Sequence, residues 1–171
     1  MSSERFLALA RLPMLLLPLL AGGCFQPLYG EASHPGLVGD MRAIAVTPVD
    51  GRFGHYLVSD LITDLNGTGS KTEPKYTLKV TLTQSTATPT VESQTNAADA
   101  ATITGSAHFA LTPVAGGDEI VSGDAVTSAV YDRTIQRFAD LRAQRDAELR
   151  LARALASEIA LRVAAGLAEK H

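Results

Sequence analysis

Two periodicities organise this chain. Phe53, Leu57, Leu61 and Leu65 recur every four residues, with Val58 and Ile62 beside them. That spacing draws one apolar stripe along a helix of about four turns. Asp50 stands where an N-cap belongs, and Asn66-Gly67 ends the pattern with a residue that tolerates left-handed backbone. Upstream, within residues 41–49, Ile44 and Val46 alternate with Ala43, Ala45 and Thr47, the mark of a short strand. Downstream the period is two. Tyr76, Leu78, Val80 and Leu82 face one way, and Lys75, Thr77, Lys79, Thr81 and Thr83 face the other. Ile103, Gly105, Ala107, Phe109 and Leu111 line one side of a further strand, and residues 119–131 return as another after a turn over 114–118. Residues 102–131 thus predict a hairpin. The polar stretch 87–98 is either a long loop or the wet end of a hairpin. From Gln136 to Glu169 there is no proline and only the late Gly166. Phe138, Leu141, Leu151, Leu155, Ile159, Val163 and Leu167 mark an apolar stripe there. The predicted order is βαβββα. Strands with one wet face and helices with one apolar stripe predict a two-layer α+β sandwich, two helices on a mostly antiparallel four-stranded sheet.

The front of the chain follows neither period. Arg5 and Arg11 precede an almost wholly apolar run, Leu12 to Leu20, and the small residues Ala21, Gly22 and Gly23 follow. Positive charge, apolar run and small residues, in that order, read as a secretory signal. The run is shorter than the roughly 20 apolar residues that span a bilayer, and Pro13 and Pro18 suit a membrane helix poorly. The only cysteine, Cys24, comes directly after it. A thiol at that place fits a bacterial lipoprotein signal, in which the sulfur is acylated and becomes the first residue of the mature chain. Residues 1–23 are then signal peptide, 24–40 a lipidated tether rich in Pro and Gly, and 41–171 a single α+β domain. Ala21 departs from the leucine that usually stands three positions before such a cysteine.

Composition narrows the function. Residues 24–171 amount to one domain and one sizeable core. A single cysteine permits no internal disulfide. A net charge of −3 makes no electrostatic case for nucleic acid. Aromatics are only 5% and tryptophan is absent, so the core must be small and aliphatic.

Candidate chemistry is sparse. His55 and Ser59 can share a helix face at i,i+4, with Asp60 next to them, but no glycine-flanked nucleophile elbow accompanies the serine. A solvated helix face explains the three. His34, His55, His108 and His171 have no metal-ligand spacing with one another or with Cys24, so no metal site is expected. Gly116-Gly117-Asp118 is turn chemistry, since no lysine or helix start follows. Asn66-Gly67-Thr68 matches a glycosylation acceptor, incidental in a bacterial lipoprotein. Arg142, Arg145, Arg150 and Arg153 form a basic row interrupted by Asp146 and Glu148, which reads as a mixed solvated face or as a contact for an acidic partner or anionic lipid. No catalytic residue is expected, and no cofactor beyond covalent acyl groups on Cys24.

The residues after Cys24 carry a resemblance. Phe25-Gln26-Pro27-Leu28-Tyr29-Gly30 resembles the opening of the LPS-assembly lipoprotein LptE family in its alphaproteobacterial form, with Gly23 and Cys24 in exchanged order relative to that family's habit. The similarity continues in order through 44–49, 76–82, 101–111, Ser128-Ala129-Val130-Tyr131 and 143–148. The resemblance implies an outer-membrane lipoprotein, lipid-anchored after export. Such a protein sits in the lumen of the LptD β-barrel as plug and folding aid, and assists insertion of lipopolysaccharide into the outer leaflet. Some members bind lipopolysaccharide directly. Phe25 rather than aspartate after the cysteine removes the inner-membrane retention signal of enteric bacteria. Two rivals stand beside this: an auxiliary lipoprotein of another envelope lipid transporter, and a lipoprotein hydrolase, which would need a nucleophile and base.

Overall fold

The computed structural model describes residues 36–67, 72–88 and 100–170. In chain order the elements are α1 (Leu37–Arg42), β1 (Ile44–Val46), α2 (Gly51–Asn66), β2 (Tyr76–Ala87), β3 (Ala100–Pro113), β4 (Val121–Asp132) and α3 (Arg137–Ala168). The four strands form one sheet in sequence order. β1 runs parallel to β2, with Ile44 opposite Tyr76, and the two remaining pairs are antiparallel. The expected α+β sandwich with a mostly antiparallel four-stranded sheet is therefore the fold. It carries one element more than βαβββα, the six-residue helix α1.

That helix occupies residues expected to end the tether. Leu37 is fully buried, and Asp40 is almost so. The folded unit begins no later than Leu37, ahead of the Met41 boundary read from the sequence. The stretch 36–42 is too short to display a helical period, which is why composition alone hid it. The first strand is correspondingly shorter than 41–49, because Met41 and Arg42 are helical and only 44–46 pair as strand.

Alternation decides the faces of the sheet. Along β3, Ala101, Ile103, Gly105, Ala107, Phe109 and Leu111 are buried under the helices. The intervening residues of all three long strands stand on the uncovered face, where rows such as Thr81–His108–Asp124 and Ser85–Thr104–Ser128 cross the strands in register. α2 places Phe53, Leu57, Leu61 and Leu65 in the core, as its four-residue spacing requires. Asp50 takes the N-cap position with extended backbone but makes no side-chain cap bond, and Gly67 ends the helix at φ 61°. α3 lies beside α2 and parallel to it: Arg52 meets Glu148 near one end, and Asp64 meets Ser157 further along. Its alanines and leucines, from Ala147 to Leu167, fill the gap to β3 and β4. Gly105 is what lets the helix sit that low, since a Cβ there would come within 3.0 Å of Leu155 Cδ1 and 3.2 Å of Leu151 Cδ2.

α3 also departs from expectation at its start. Phe138 and Leu141 continue the apolar stripe but are 83% and 50% exposed. Leu155 and Ile159, on the same stripe, are fully buried.

Candidate functional site

Two charged constellations tie elements of the fold together, one joining α2 to α3 and the other joining α1 to the start of β2. The first lies where α2 begins. Arg52 donates through Nε and Nη2 to both oxygens of Glu148, at 2.7–3.1 Å. The guanidinium is half exposed, while the carboxylate is buried. Hydrogen bonding to Glu148, then attraction to its charge, raises the Arg52 pKa above its ordinary value. The pair lines a groove of about 340 Å³ together with Val49, Gly51, Leu82 and Gln84. Gly54 permits this corner, because a Cβ there would stand 2.7 Å from the Val49 carbonyl oxygen.

The second constellation pins α1 to β2. Lys75 Nζ donates to Asp40 Oδ1 at 2.8 Å, and the Tyr76 hydroxyl donates to Oδ2 at 3.1 Å. The hydrogen bond to Asp40, and then its charge, hold the Lys75 pKa up. Burial first, then the negative charge of Asp40, push the Tyr76 hydroxyl up. Both groups favour their protonated forms in the fold, so what they contribute to stability is present at neutral pH. It is lost as pH rises through their titration range, above about 10.

Both acids were hidden in the sequence. Glu148, expected on the mixed solvated face with Asp146, is buried and paired; only Asp146 is on the surface. The signal was its spacing, three residues before Leu151 and seven before Leu155, which puts it on the apolar stripe. A carboxylate there must bring a partner. Asp40 lay in a stretch read as tether, and no pattern within that stretch marks it.

The residues singled out for chemistry are dispersed. His55 and Ser59 are exposed on α2, and Asp60 is half-buried next to them. The Ser59 backbone carbonyl accepts from Thr63 Oγ1 at 2.9 Å, an intrahelical contact. His108 sits on the uncovered face, 2.9 Å from Asp124 Oδ1 across the β3–β4 pair. Gly116 and Gly117 form the turn, both with positive φ. Of the basic row, Arg142, Arg145 and Arg153 are exposed, and Arg150 bonds Asp146 and the Val130 carbonyl. Cys24, His34, Thr68 and His171 lie outside the described residues. Among the described residues no His, Cys, Asp and Glu cluster could hold a metal ion, and no helix is long and apolar enough to cross a membrane. Among the described residues His55, Ser59 and Asp60 make no side-chain hydrogen bond with one another.

No protein-family model and no curated protein matches the sequence. Solved structures do. The chain is similar to a protein of Caulobacter crescentus CB15 described as a lipoprotein, with TM-score 0.66 and 25% identity over 81% of this chain and 98% of that one. It is also similar to the rare lipoprotein B of Shewanella oneidensis, with TM-score 0.55 and 11% identity over 75% of this chain and 98% of that one, a likeness of fold. The α+β fold of this chain is thus one that it shares with these two solved proteins.

Proposed function

We propose that this chain is a lipid-anchored envelope protein of the LptE kind, acylated at Cys24 and held at the outer membrane. In this reading it occupies the lumen of the LptD barrel, aids the assembly of that barrel, and assists insertion of lipopolysaccharide into the outer leaflet. It makes and breaks no bonds. The observation that carries the reading is the fold shared with the Caulobacter lipoprotein over 81% of this chain. The signal-like run ending at Cys24 and the Phe-x-Pro-Leu-Tyr-Gly stretch after it agree with that observation. The surface suits a plug. One face of the sheet is uncovered by helices and displays Thr81, Thr83, Thr104, Ser106 and Ser128, hydroxyl groups that can meet a polar, wet wall. An acyl anchor would raise the effective concentration of that face beside its barrel.

Depletion of the protein tests this. Correctly assembled barrel should fall, and large or apolar antibiotics should enter the cell. Changes at His55, Ser59 or Asp60 should leave both measures unaltered. A depleted strain with normal barrel and an intact permeability barrier would overturn the proposal. Co-purification of an inner-membrane transporter in place of a barrel would favour the transporter-accessory role. Replacing Cys24 by Ala should leave a non-acylated, misprocessed chain, and mass spectrometry of the purified protein reads that directly.

A further inference from the structure

Among the described residues β4 pairs on one side only, with β3. In an antiparallel strand the N–H and C=O of one residue point to the same side, and successive residues alternate. Two contacts fix which residues of β4 point outward. Arg150 Nη2 donates to the Val130 carbonyl at 3.0 Å, and Arg162 Nη1 donates to the Asp124 carbonyl at 2.6 Å. The even-numbered residues therefore turn their backbone groups away from β3. Their side chains, Asp124, Val126, Ser128 and Val130, are exposed on the uncovered face. This edge is 12 residues long and contains neither proline nor lysine. Such an edge is a template for another strand unless something blocks it.

Both arginines are held from behind. Arg150 Nε bonds Asp146 at 2.9 Å, and Arg162 Nη2 bonds Glu158 at 2.6 Å, each one turn earlier on α3. The two guanidinium groups are thereby held at the edge, although both side chains remain about half exposed.

We infer that Arg150 and Arg162 guard this edge, and that the strand they exclude is β4 of a second copy of this chain. An antiparallel two-fold pairing centred on Thr127 sets Asp124 opposite Val130 and Val126 opposite Ser128. All four are outward residues, so the register is competent for hydrogen bonding. The Asp124–Val130 pair needs two acceptors, the Val130 and Asp124 carbonyls. Those are the two oxygens the arginines fill. The same register brings Arg150 of one copy against Arg162 of the other, so association meets two occupied acceptors and like charge at each end of the ladder. The guards keep single copies available for whatever partner the protein serves, and the inference holds whichever partner that is.

The test uses the full chain in detergent micelles, with mass per particle measured by light scattering at rising protein concentration. Wild type should remain one copy per particle. The double variant Arg150→Met/Arg162→Met keeps the aliphatic stems and loses the donors; its mass should double with concentration. Adding Val126→Pro should restore a single copy. Residue 126 points its N–H outward, so proline removes an edge donor while leaving the ladder to β3 intact. The single variants Arg150→Met and Arg162→Met should associate more weakly than the double, and they carry the test should the double variant fail to fold. Variants that keep native circular dichroism and one copy per particle would overturn the inference. So would association that Val126→Pro does not reverse, or wild type already paired through β4.

Discussion

From Ala147 to Leu167 helix α3 buries apolar side chains at each turn, whereas over 137–146 the same stripe carries an exposed Phe138 and a half-exposed Leu141. The apolar spacing is similar in both stretches. What differs is the company. The buried part lies over β3 and β4 and against α2, whose first turn meets α3 at Glu148. Before Glu148 no residue of α2 remains to stand beside the helix. A periodic stripe identifies which face of a helix is apolar; whether that face is covered depends on how far the neighbouring elements reach, which is a property of tertiary structure.

Four substitutions sharpen that contrast. Leu155→Ala, in the covered part, should cost about 2–5 kcal/mol, the range for large-to-small changes in a packed core. Its side chain is fully buried and packs over Gly105. Urea unfolding followed by circular dichroism measures it. Arg52→Ala, at the boundary, should cost about 1–3 kcal/mol, because it strips the partner from a buried carboxylate. Replacing Glu148 by Gln in the same background should recover part of the loss, since the charge is then gone. Phe138→Ser, in the overhanging part, should change stability by less than about 0.5 kcal/mol. Equal losses at Phe138 and Leu155 would mean that the first turns of α3 are covered after all.

The same contrast explains what the sequence made legible. The wet and dry faces of β2 and β3, the stripe of α2 and the hairpin 102–131 rest on local periodicity, and the structure follows them, save that Ile62 beside the α2 stripe is exposed and the last strand begins at Val121 and not at Glu119. The pairings of Asp40 and Glu148 escaped because each partner lies far away in the chain, although the place of Glu148 on the apolar stripe was local. Asp40 finds Lys75 across 35 residues, and Glu148 finds Arg52 across 96. No window that slides along a sequence contains both members. α1 escaped for a related reason: Leu37 is buried by elements that lie after it, and six residues cannot show a helical repeat. Cys24 is the opposite case. The lipidation proposed for it is argued from the dozen residues around it and draws on no fold.

The distance between Arg52 and Glu148 has a kinetic side. Strands β2, β3 and β4 zip as a meander between chain neighbours, and α3 follows β4 after a few residues. Seating α2 against α3 instead closes a loop of 96 residues, with Ser157 and Asp64 closing one of 93 beside it. The entropy lost in such a closure grows with the logarithm of loop length and must be met before the contact returns anything. Docking of α2 is therefore a late event on the folding path. The loss in Arg52→Ala should accordingly surface as faster unfolding, with the refolding rate little changed.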